Sequence, residues 1–212
     1  TPSTSSAASD VYKRQLRRLG DDGVLALVCD STNVFVDAEA GSEAALRKSL
    51  IELIGNCSGR VAVASFASNV ARVATINKAA VETGRHPTVV GRSLWRSVEI
   101  ARECGYLRDA EPFLAEQEIG FIPPERVLMA VTGSQGEPRS ALSRIASGSH
   151  PNVSLEAGDT VIFSSREIPG NELAIGRLQN QLTRLGVDVI TEHDAFVHVS
   201  GHPGRKELMK MY

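Results

Sequence analysis

The chain has 212 residues, enough for one large domain or for one domain with part of a second. Its 42% hydrophobic content suits a globular core, and a formal net charge of -2 excludes an overall basic character, so a polyanionic partner would need a local basic groove. No apolar run approaches membrane-spanning length and no signal segment is present, which predicts a soluble, cytoplasmic protein without a membrane partner. Cys29, Cys57 and Cys104 are odd in number and form no CxxC pair; they read as buried, reduced thiols.

Residues 1–15 are rich in Ser, Thr and Ala, lack core periodicity and read as a disordered or artefactual leader. From Leu16 short apolar runs recur at Val24–Val28, Val61–Ala64, Thr88–Val90, Val127–Val131, Thr160–Phe163 and Val187–Ile190. Stretches with helical spacing lie between them, at Glu43–Ile54, Val70–Val81, Leu94–Cys104, Ser140–Ala146 and Glu172–Leu185. In the first of these, Ala44, Ala45, Leu46, Leu50, Leu53 and Ile54 share a face. Gly84, Gly105 and Gly186 stand where helices are expected to end. Short β segments alternating with α segments predict an α/β fold: a Rossmann-like parallel β-sheet with helices on both faces. The apolar runs are continuous rather than alternating, as strands buried on both faces require.

In such a sheet, ligands bind at the loops that follow the strands. These loops read Asp30-Ser-Thr-Asn33, Ser65-Phe-Ala-Ser-Asn69, Gly91-Arg-Ser93, Thr132-Gly-Ser-Gln-Gly-Glu-Pro138 and Ser164-Ser-Arg166. Any one of them is equally an ordinary helix cap. Five small, hydroxylated loops on one rim favour an oxyanion, which backbone N–H groups and hydroxyls can approach closely. None is a G-x-x-x-x-G-K-[ST] nucleotide cradle or a G-x-G-x-x-G fingerprint. Arg72, Arg92, Arg139 and Arg166 lie in or just after these loops; their forked guanidiniums suit phosphate, or they pair with carboxylates such as Glu137 and Glu167.

Three of the 5 histidines, His193, His198 and His202, fall within ten residues. Over Phe196-Val-His-Val-Ser-Gly-His202, Val197 and Val199 alternate with His198 and Ser200, so a half-buried strand would put His198 and Ser200 on one face. Gly201 would then turn the chain and Pro203 would open a helix. Two imidazoles and a hydroxyl suit phosphate binding or proton transfer. A metal reading is weaker, because no Asp, Glu or Cys lies at ligand spacing. Asp30 is either a turn carboxylate or the group that orients a histidine, with His202 the expected partner.

The runs VLALVCDSTN, GRVAVASFASNVARV, GRSLWR, TGSQGEPRSAL, LEAGDTVIFSSREIPGNE and HVSGHPGRKEL together resemble the bacterial ribonuclease J family, in the β-CASP branch of the metallo-β-lactamase superfamily, from about Leu16 to Tyr212. The resemblance implies a core that cuts RNA with two zinc ions, processively from a 5′-monophosphate end and also internally, in RNA processing and decay. The β-CASP domain, inserted into the metallo-β-lactamase αββα domain, would clamp single-stranded RNA. Residues 16–40 would end one metallo-β-lactamase segment, 41–195 would form the β-CASP domain and 196–212 would begin the returning segment. By position, Asp30 and His202 would be catalytic. His198, Ser200, Ser68, Asn69, Ser93, Ser134, Ser165 and Arg166 would bind RNA phosphates. The H-x-H-x-D-H and P-x-H-G-E ligand segments of the family are absent from these residues. This chain is therefore expected to supply no metal ligand and, alone, to bind no zinc and cut nothing; the full-length enzyme is expected to be a homo-oligomer. The alternatives are a non-hydrolytic Rossmann-like module for a nucleotide or phosphate, and a β-CASP nuclease acting on DNA.

Overall fold

A computed structural model describes residues 14–37 and 40–210. They fall into two compact units: residues before 38 together with those from His202 on, and those from 40 to Gly201.

The larger unit is built on a five-stranded, all-parallel sheet. Its strands are β1 (Val61–Ala64), β2 (His86–Val90), β3 (Val127–Val131), β4 (Thr160–Phe163) and β5 (Asp188–Ile190), ordered β2-β3-β1-β4-β5. Every residue of β1, β3 and β4 is buried, as expected of strands covered on both faces. Alternate residues of each strand feed opposite cores. Val61 and Val63 pack with helices α2 (Glu43–Gly55), α3 (Val70–Glu82) and α4 (Arg92–Glu103); Ala62 and Ala64 pack with α5 (Ala141–Ala146) and α6 (Glu172–Arg184). The helices thus cover both faces.

Local sequence explains the helix limits. The Ser42 hydroxyl caps α2 by accepting from the Ala45 N–H at 3.1 Å, and α2 buries Leu46, Leu50 and Ile54, one turn apart. Ala44 and Ala45 are exposed, so the buried stripe is narrower than the sequence suggests. Gly84, Gly105 and Gly186 follow α3, α4 and α6 with φ of +67°, +81° and +78°, the left-handed conformation that ends helices. Strand β2 starts two residues before the apolar run because it is an edge strand, where Pro87 costs no ladder bond. At the amino ends of the strands, Arg85 is buried and donates to the carbonyls of Cys57, Gly59 and Val127 at 2.6, 2.7 and 3.2 Å.

In the smaller unit residues 14–22 are helical (α1), which includes the last two residues assigned to the leader; residues 1–13 lie outside the described residues. Val24–Val28 form no strand, contrary to expectation. Among the described residues the run has no partner strand, and Leu25 and Val28 are essentially fully exposed. The turn at Asn33 pairs with Gly204, and Arg205 donates to the carbonyls of Val34 and Val36, each at 2.9 Å. This fixes the start of α7 (Arg205–Met209), which opens after Gly204 rather than at Pro203.

Two further expectations fail. Cys29 and Cys104 are exposed and Cys57 only partly buried; all three are free thiols. Residues 196–200 form no strand, although Val197 is buried and Val199 packs against the core as the alternation requires. Gly201 has no positive φ, so the turn there does not need glycine.

Candidate functional site

In the larger unit, β1 and β3 are neighbours, yet β1 leads into α3 on one face and β3 into α5 on the other. The chain therefore parts at their carboxyl ends, the switch point where open α/β sheets leave a crevice. Three hydroxylated loops meet there. The Ser65 N–H donates to the Val131 carbonyl at 3.1 Å and the Ser164 N–H to the Ala64 carbonyl at 2.9 Å, carrying the ladder past the strand ends. Gln135, buried, ties the β3 loop to the β4 loop. Its Nε2 donates to Ser165 Oγ and the Arg166 carbonyl at 3.2 and 2.9 Å, while its Oε1 accepts from the Ile168 N–H and Asn171 Nδ2 at 2.9 and 3.2 Å.

Four buried side-chain polar atoms find no hydrogen-bond partner among the described residues: Ser65 Oγ, Ser134 Oγ, His198 Nδ1 and Thr88 Oγ1. Thr88 lies within β2, whereas Ser65 immediately follows β1 and Ser134 is the third residue after β3, the two strands whose parting forms the crevice. An unmade buried hydrogen bond costs about 1–3 kcal/mol, which makes this rim costly by itself and suited to a ligand rich in acceptor oxygens. Ser134 and Ser165 also line a cavity of about 130 Å³ with Glu167, Thr191 and His193.

Arg72 organises the approach to His198. Its guanidinium is fully buried and bonds the Glu43 carboxylate through Nε at 2.8 Å and the Ser164 carbonyl and hydroxyl through Nη1 at 2.7 and 2.6 Å; a longer bond runs from Nη2 to the Val199 carbonyl at 3.4 Å. The Ser164 hydroxyl in turn donates to the Val197 carbonyl at 2.6 Å. Carbonyls on both sides of His198 are therefore held from one cluster, which fixes an otherwise irregular segment. Burial, and then the Arg72 cation, push the His198 imidazole below its ordinary pKa, so it is held neutral at pH 7.

In the smaller unit, Asp30 and His202 meet: Asp30 Oδ2 bonds His202 Nδ1. The other carboxylate oxygen accepts from the Thr32 N–H and hydroxyl at 2.8 and 2.6 Å, and Asn33 Nδ2 donates to the His202 carbonyl at 3.0 Å. The two Thr32 bonds and then His202 draw the Asp30 pKa down to about 2. An acceptor-only carboxylate on Nδ1 puts the ring proton there and makes Nε2 the basic nitrogen. Both side chains are substantially exposed, so the pair orients an imidazole more than it stabilises the fold.

The other expected site residues are scattered. Asn69 caps α3, accepting from the Arg72 N–H at 3.0 Å; Ser68, Ser93 and Arg166 are exposed, and Ser200 is half-buried. Ser68 sits on the loop after β1 and Ser93 in the first turn of α4, and no side-chain hydrogen bond joins them among the described residues. Arg72, grouped with the surface arginines from sequence, is wholly occupied inside the protein. Gln135 and Glu43 went unsingled in sequence; a glutamine in a tight Gly-Ser-Gln-Gly turn is the signal that could have found the first. No three His, Cys, Asp or Glu side chains among the described residues gather to hold a metal ion, and no helix there is long and apolar enough to cross a membrane.

The fold and the rim define a doubly wound α/β domain with a crevice fit for an oxyanion. A sequence model described as "Ribonuclease J, beta-CASP domain" matches residues 58–182. Proteins named Ribonuclease J are similar over nearly the whole chain: that of Sinorhizobium meliloti is 48% identical over 198 residues, covering 93% of this chain and 35% of the relative. That of Mycobacterium tuberculosis is 44% identical over 198 residues, covering 93% and 36%. That of Thermus thermophilus is 39% identical over 194 residues, covering 92% and 34%. This chain belongs to the ribonuclease J family through its β-CASP domain, and it spans about a third of the length of these curated relatives.

Proposed function

We propose that this chain is the RNA-gripping β-CASP portion of a zinc-dependent ribonuclease that degrades RNA from a 5′-monophosphate end and also cuts internally. The observation that carries the reading is the pair of buried, unpartnered hydroxyls of Ser65 and Ser134 at the switch-point crevice, which RNA phosphate oxygens would satisfy. A bound phosphate would favour the protonated His198, whose Nδ1 then donates to it, while Ser200, Ser68, Asn69, Ser93, Ser165 and Arg166 bind the same backbone. His202 Nε2, with Nδ1 held by Asp30, carries a proton at the reacting phosphate, either protonating the leaving oxygen or steadying the group. Both zinc ions would be held by parts of a longer protein carrying the family's H-x-H-x-D-H and P-x-H-G-E segments; when bound, zinc would supply the attacking hydroxide. That enzyme would act in the cytoplasm as a homo-oligomer.

The test is the full-length protein with His202→Ala. Single-turnover cleavage of a 5′-monophosphorylated RNA should fall by about 10²–10⁴-fold, with affinity changed less than about twofold. Equal single-turnover rates for variant and wild type would remove the role of His202. RNA binding that persists with no cleavage by the wild-type full-length protein would point instead to a phosphate-binding module.

A further inference from the structure

We propose that the larger unit carries a second anion site, apart from the His198 crevice although Ser93 lines it, that takes a small ligand bearing two or three linked phosphates. The site is a cavity of about 820 Å³ above the carboxyl ends of β2 and β3, and it shares no lining residue with the cavity at Ser134. Arg92 and Arg96, one turn apart on α4, face it together with Arg139 and Arg144 from the α5 region. Among the described residues none of these four guanidiniums has an ion pair or a side-chain hydrogen bond. The two carboxylates in the wall are already engaged: Glu116 accepts from Asn152 Nδ2 at 3.0 Å, and Glu137 from the Gln135 N–H at 3.0 Å.

In a chain of net charge -2, four arginines against two carboxylates leave a surplus of two positive charges on one cavity, a local departure that an anion would offset. Guanidinium forks match phosphate oxygens in pairs, so four of them exceed what a single phosphate can use. The first turn of α4 adds to this, because its cap Gly91 offers no side chain to the N–H groups there. The volume falls in the range of small-molecule sites, about 300–1,000 Å³. No Phe, Tyr or Trp lines the cavity and the side chain of its one imidazole, His150, is only 3% exposed, so it has no open aromatic platform for a base. The recognisable part of the ligand is therefore its phosphate chain.

Calorimetric titration of the intact chain with sodium tripolyphosphate tests the site without any cleavage assay, so its failure and that of the nuclease reading are separable. One saturable site is expected, at least tenfold tighter than for orthophosphate. The double variant R96Q/R144Q, which alters only exposed side chains, should weaken binding at least tenfold, whereas R184Q on α6 should leave it unchanged. Absence of saturable binding, or equal affinity in the double variant, would overturn the site. So would an RNA octamer whose binding is lost in the double variant but is not displaced by tripolyphosphate.

Discussion

Arg72 shows what a single side chain decides here. Removing one partner of a buried ion pair leaves the rest uncompensated, so Arg72→Ala should lower unfolding stability by about 3–5 kcal/mol in urea titrations. Ser164→Ala, which frees the Val197 carbonyl, should cost about 1–3 kcal/mol and, in the full-length protein, weaken RNA affinity more than that loss of folding explains. Gly136 has φ +71°, and a methyl group there would lie 2.5 Å from the Ala174 carbonyl carbon in α6. Gly136→Ala should therefore destabilise by more than the ~1 kcal/mol typical of a point mutant, measured by the shift in urea midpoint. The folded protein depresses the His198 pKa, so the unfolded chain binds the proton more readily. That contribution is complete above the ordinary value near 6.5 and is lost as pH falls through it toward the lower folded value. The fall in urea midpoint between pH 7.5 and 5.5 should be shallower in His198→Gln. Asp30 acts in a lower window: its contribution is full above 3.8 and is lost as pH falls through about 2, so it stays a carboxylate at neutral pH.

Elements were legible in sequence wherever burial was two-sided. Val61–Ala64, Val127–Val131 and Thr160–Phe163 are unbroken apolar runs because both faces of each strand are covered, and the structure forms them with those limits. Val24–Val28 has the same appearance but no ladder, because periodicity reports what a segment could bury and not whether a partner lies beside it. The 196–200 segment was half legible: its valines pack as the alternation requires, but its backbone is fixed by Arg72 and Ser164 from elsewhere in the chain rather than by a neighbouring strand. That dependence on distant side chains also hid Gln135 and Arg72, since a buried polar residue is recognisable only through the partners the fold brings to it. The Asp30–His202 pairing was readable because a strand-end-like carboxylate and a motif histidine each have few chemical uses.

At the scale of the molecule, the exposed run with Leu25 at 106% and Val28 at 95%, and Phe35 at 88%, leaves apolar surface in the smaller unit. Leu25→Glu with Val28→Glu should reduce self-association in sedimentation velocity without lowering the unfolding midpoint, since neither side chain is buried. The strand order has a consequence for how the polypeptide is made. β1, the first of the five strands to be made, ends in the middle of the sheet, and its second neighbour β4 is encoded about a hundred residues later. At about 5–20 residues per second the nascent chain holds one side of β1 open for about 5 to 20 seconds, an interval in which a chaperone can cover it.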